Sequence, residues 1–132
     1  MFEEAHQHLV EGELQAAVQL LSDIIDLEEN FLLAYVARGR IFLDLGDYAR
    51  AMSDFTIAHE ASPELPEPQL AIGDLYFSRK DYARAIQYFN GALSVMPENA
   101  MAYCRRGISR YYEHNYERAL TDLARALELG LL

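Results

Sequence analysis

The chain has 132 residues, of which 52% are apolar and 24% charged, with a net charge of −10. Such proportions exclude a disordered chain, the acidic balance argues against nucleic-acid binding, and the single cysteine, Cys104, excludes an internal disulfide. No run approaches eighteen apolar residues, so membrane insertion is not expected, and the acidic start MFEEAHQHLVEG is no secretory signal. The expected compartment is the cytoplasm.

An interval of 34 residues runs through the chain. It separates Ala17, Ala51, Ala85 and Ala119, and also Gly39, Gly73 and Gly107, with Ala5 in the matching slot of the first copy. Phe55, Phe89 and Leu123 keep it, preceded by Leu21; Tyr48, Tyr82 and Tyr116 keep it, preceded by Leu14. A period of this length marks a repeat array. The first copy, 1–31, starts in mid-repeat and its first helix is short. In the second, 32–65, Tyr35, Arg38, Gly39 and Phe42 lie three or four apart on one helical face. Leu45-Gly46-Asp47 then breaks the helix, with Asp47 as N-cap of a second helix carrying Ala51, Phe55 and Ala58. Pro63 closes that helix. The third copy, 66–99, repeats this plan with Asp81 as cap and Pro97 as stop, and the fourth, 100–132, does so with Asn115.

Two slots vary together. Arg38 and Asp54, sixteen apart, recur as Arg106 and Asp122, while the third copy holds Ile72 and Tyr88. The joint change predicts ion pairs Arg38–Asp54 and Arg106–Asp122 inside their repeats.

The spaced aromatic, Gly, Tyr, Ala, Phe, Ala and Pro positions, in four-fold register, resemble the tetratricopeptide repeat family over essentially the whole chain. The resemblance implies one domain, 1–132: an all-α, right-handed α-solenoid of four antiparallel helix-turn-helix repeats, with first helices lining a concave groove. By that resemblance the groove residues in the first copy are Phe2, His6, Leu9 and Val10. Those expected to bind a partner are Leu33, Val36, Arg40, Leu43, Leu70, Asp74, Phe77, Met101, Ile108 and Tyr112. This mostly apolar stripe suits a helix or an extended segment with hydrophobic anchors, and Asp44, Glu67 and Asp74 against Arg40 tilt it toward basic partners. A subclass of the family grips a chaperone's C-terminal carboxylate with cationic and Asn side chains. Here the corresponding slots hold Phe2, His6, Ala37, Glu67 and Ala71, which does not fit that clamp.

Catalytic chemistry is not expected. His6 and His8 point to opposite sides of a helix, leaving at most a weak surface pairing of His6 with Glu3, and paired-Cys and HExxH motifs are missing. Cys104 reads as a small residue near the groove, and the Arg105, Arg106 and Arg110 patch is too small to imply nucleic acid. No cofactor or metal is implied, and a small-molecule or metal-dependent enzyme is the weakest alternative. The reading is a non-enzymatic scaffold for a protein or peptide partner. Its main rival is self-association through an uncovered apolar edge, Leu120, Leu123 and Leu127, in the last copy. That edge is first expected to belong to a piece of a longer protein, with a tolerated exposed patch as the third explanation. The copies carry net charges of −8, −2, −1 and +1, an asymmetry able to orient a partner or a second copy.

Overall fold

The computed structural model describes residues 2–131, with side chains from Val10 onward. Seven helices are present among them: α1 (Phe2–Leu27), α2 (Leu32–Asp44), α3 (Tyr48–Ala61), α4 (Pro66–Ser78), α5 (Tyr82–Val95), α6 (Ala100–Tyr112) and α7 (Tyr116–Glu128). They form two compact units, 1–61 and 62–132. In the first, α1 packs on α2 and α2 on α3; in the second, α4 pairs with α5 and α6 with α7, while α6 also meets α5 and α4. The expected all-α helical-repeat class is what the chain adopts.

Each paired copy turns by the same device. The αL residue is Gly46 (φ 79°), Lys80 (φ 62°) or His114 (φ 64°), at intervals of 34. In the second copy the Asp47 and Gly46 amides donate to the Phe42 and Leu43 carbonyls at 2.8 and 3.0 Å, and equivalent bonds close α4 and α6. The next helix starts at a capping side chain: Asp47, Asp81 and Asn115 accept from the backbone N–H three residues on, at 3.2, 3.3 and 3.4 Å.

The first copy departs from this plan. It is one continuous helix, α1, rather than a short first helix and a turn. Gly12 occupies the permissive slot of Gly46, but Glu13 occupies the slot of Asp47. Glutamate is a good helix former and a poor cap, so nothing competes with continued helical hydrogen bonding. At 1.5 Å per residue α1 is about 39 Å long.

Small residues set the helix spacing. A Cβ on Gly39 would lie 2.5 Å from the Phe55 ring, and one on Gly73 2.7 Å from Phe89. Both rings are fully buried, as are Ala51, Ala58 and Ala85 around them. Each such phenyl contributes about 1.5–3 kcal/mol on leaving water.

The two predicted ion pairs are formed. Arg38 donates through Nε and Nη2 to Asp54 at 2.9 and 2.7 Å, and Arg106 does the same to Asp122. Each arginine also reaches back to the preceding helix. Arg38 bonds Ser22 of α1 at 3.1 Å and Arg106 bonds Asn90 of α5 at 2.8 Å. The third copy replaces the pair by a buried Ile72 and a Tyr88 stacked on Tyr76 at 5.7 Å. Among the described residues no helix is long and apolar enough to cross a membrane.

Candidate functional site

In the first unit the predicted face lies on α2. Leu33 is exposed there, Arg40 and Leu43 are half-buried, and Val36 is only 6% exposed. Val36 therefore belongs to the core, because a side chain already out of water has little area left to offer a ligand. Val10 is exposed on α1, and Phe2, His6 and Leu9 fall outside the described side chains.

The second unit joins its residues into one surface, because α4 packs on α6. Leu70, Phe77 and Ile108 are half-buried, Met101 is exposed at one end and Tyr112 at the other. Tyr82 from α5 links the latter two elements. Its ring stacks on Tyr112 at 4.8 Å and 12°, and meets Phe77 edge-on at 6.0 Å. Tyr111 stands at right angles to Tyr112 at 5.5 Å and also meets Tyr116. This ladder presents flat apolar faces with hydroxyl edges. Sequence reasoning passed over Tyr82, although its shared slot with Tyr48 and Tyr116 marked it as structural.

The charges are arranged differently from the expected negative tilt. Asp74 is buried and forms an ion pair with Arg105 at 2.5 Å across α4 and α6. It contributes little free negative potential. Asp44 is exposed, and Glu67 is half-buried with one carboxylate oxygen out of solvent. The basic patch is likewise engaged: Arg105 holds Asp74, and Arg106 and Arg110 share Asp122, the latter at 2.8 Å. The hydrogen bond to Asp54 raises the Arg38 pKa against the opposing effect of burial. Arg110 is lowered, chiefly by burial and then by the neighbouring Arg106 charge, which together outweigh Asp122.

Among the described residues no cluster of three His, Cys, Asp or Glu is placed to hold a metal. Cys104 is half-buried on α6, and His114 Nδ1 lies 3.1 Å from the Tyr116 hydroxyl. A cleft of about 350 Å³ adjoins Arg38, Asp54 and Ser22, away from the predicted binding residues. The expected edge on α7 is open: Leu120 is 71% and Leu127 59% exposed, with Leu123 half-buried.

A family model described as Tetratricopeptide repeat matches residues 2–66 and 36–103. Comparison with curated proteins finds no match. Among solved structures, MamA superposes with a TM-score of 0.78 at 14% identity, covering 94% of this chain and 72% of its own. The first TPR of Spaghetti (RPAP3), bound to the HSP90 peptide SRMEEVD, gives 0.71 at 29% identity, covering 75% and 79%. The second TPR of the same protein, with the same peptide, gives 0.73 at 21%, covering 79% and 96%.

Proposed function

This chain belongs to the tetratricopeptide repeat family, and from that premise we propose that it is a non-enzymatic scaffold holding a peptide or helix of a partner protein against its first helices. The observation that carries the reading is the α4–α6 surface. Leu70, Phe77, Met101, Ile108 and Tyr112 keep accessible apolar area there while its one buried acid is neutralised by Arg105. Apolar area beside a neutralised acid suits hydrophobic anchors at helical or extended spacing. That a structural relative at 29% identity was solved with a bound peptide supports the same use of the fold.

The ligand class differs from that relative's. The clamp slots hold Ala37, Glu67 and Ala71, and Glu67 repels a terminal carboxylate. The partner segment is therefore internal, with leucine-like anchors and a Lys or Arg near Asp44 or Glu67.

Peptide-library selection on the immobilised chain, followed by fluorescence anisotropy, tests this. Met101→Asp, at an exposed site, should together with Phe77→Asp weaken a selected peptide at least tenfold at unchanged helicity. Equal affinity for wild type and variant would remove the surface from consideration. Micromolar binding of SRMEEVD would overturn the exclusion of carboxylate ligands.

A further inference from the structure

Three tyrosines meet in water at the turn between α6 and α7. Tyr111 and Tyr112 end α6, and Tyr116 opens α7. They are 55%, 55% and 57% exposed. Tyr111 stands between the other two, its centroid 5.5 Å from each and its plane at 81° to Tyr112 and 62° to Tyr116. The rings therefore form the walls of a corner rather than a flat stack. In the preceding copy the slot of Tyr116 is Tyr82, which is half-buried and stacked under Tyr112. A single exposed ring is ordinary, but three in contact make a patch that calls for an occupant.

The other rings of the chain indicate what that occupant is. Arg38, Arg50, Arg84 and Arg106 lie over Tyr35, Phe42, Tyr76 and Tyr103, at 5.7, 5.7, 5.8 and 5.3 Å from the centroids. All four are within the range of a cation–π contact. Two of them follow the repeat, since Arg50 and Arg84 share one slot and Phe42 and Tyr76 another. The last copy keeps the arginine, as Arg118, but holds Arg110 in place of the ring. Arg118 is thus set near a like charge, which helps to lower the Arg110 pKa. Among the described residues no arginine lies over Tyr111, Tyr112 or Tyr116. Local charge favours a cation: residues 111–118 hold two exposed carboxylates, Glu113 and Glu117, against Arg118. The C-terminus of α6 and the N-terminus of α7 share this turn, so their dipoles offset each other. Ring faces and carboxylates then decide the preference. We propose that Tyr111, Tyr112 and Tyr116 form an open aromatic corner for the guanidinium of an arginine in the partner segment. This rests on the reading of the α4–α6 surface as a peptide site, of which Tyr112 is one end. A planar guanidinium stacks on ring faces better than a compact, strongly hydrated ammonium does, so arginine is preferred to lysine.

Tyrosine-ring NMR of the full chain tests the corner by itself. The probe is Nα-acetyl-arginine methylamide, with the citrulline analogue as its uncharged counterpart and the lysine analogue beside them. Arginine should give saturable shifts at Tyr111, Tyr112 and Tyr116, and smaller ones at Tyr35 and Tyr103, whose faces already carry an arginine. Citrulline should bind about fivefold to tenfold more weakly, the loss expected from two partly exposed cation–π contacts. Tyr111→Leu/Tyr116→Leu should remove the difference, and Tyr111→Phe/Tyr116→Phe, which keeps the ring faces, should retain it. A peptide selected from a library tests the corner within the site. Arginine should be enriched at one fixed position, and its replacement by citrulline should cost wild type about fivefold to tenfold and the leucine variant less than about twofold. Arginine shifts that persist in Met101→Asp/Phe77→Asp support the corner even where peptide binding fails, so the two failures are distinguishable. Absence of shifts at the three rings overturns the proposal. So do equal shifts with citrulline, tighter binding of the lysine analogue, or enrichment of proline in place of arginine.

Discussion

Asp54 and Asp122 are the carboxylates on which the paired copies close. Each is buried and bound bidentately by an arginine, and Asp122 also takes Arg110. Removing one partner of such a pair strands the other charge, so Asp54→Asn should lose about 3–5 kcal/mol in urea unfolding. The third copy shows the apolar solution to the same packing problem. Arg38→Ile with Asp54→Tyr should recover most of that loss, since Phe42 offers Tyr the neighbour that Tyr76 offers Tyr88. The sign of the arginine linkage is fixed as well. A raised folded-state pKa at Arg38 gives stability that is fully present below the unfolded pKa and is lost only on passing the folded one. Thermal stability should therefore show no arginine-linked fall between pH 6 and 9.

At the scale of helices and turns, one αL residue per copy decides where a helix stops. Lys80 and His114 hold φ near 60° against the steric preference of side chains that carry a Cβ. Lys80→Gly should stabilise by about 1 kcal/mol in thermal or urea unfolding, and Gly46→Ala should destabilise by a similar amount. Helix spacing is set as tightly. Gly73→Ala drives a methyl into the Phe89 ring and should cost about 1–3 kcal/mol, more than the helix propensity of alanine returns. At the first turn the outcome rests on Glu13: without a short acceptor at the cap, α1 runs on through Gly12.

For the molecule as a whole, charge and apolar area decide what it meets. The first copy has eight acidic residues and no basic ones, and the last has a slight excess of arginine, three of them engaged with Asp74 and Asp122. The free positive potential is smaller than the sequence suggests, so an acidic or phosphate ligand has little to hold. Because Leu120 and Leu127 are mostly in water, Leu120→Glu/Leu127→Glu should change stability by less than about 0.5 kcal/mol per site, measured by urea unfolding. A larger loss would mean that the α7 edge is covered in solution.

The sequence by itself determined the repeat period, the helical class, the caps at Asp47, Asp81 and Asn115, and the two Arg–Asp pairs. Each is written locally, or in residues that vary together at a fixed interval, and so survives without coordinates. Only the tertiary structure decided which predicted binding residues keep accessible area. Val36 and Asp74 share a periodic slot pattern with Leu33 and Phe77, yet packing buries the first two, and Arg105 neutralises Asp74 from a helix about thirty residues away. Periodicity names the face of a helix; how much of that face stays in water depends on the neighbour laid against it. The unbroken α1 lies between these cases. Its signal, Glu13 for aspartate, is one residue in a matching register, and the balance between a cap and continued helix is about 1 kcal/mol, which the rest of the repeat pattern concealed.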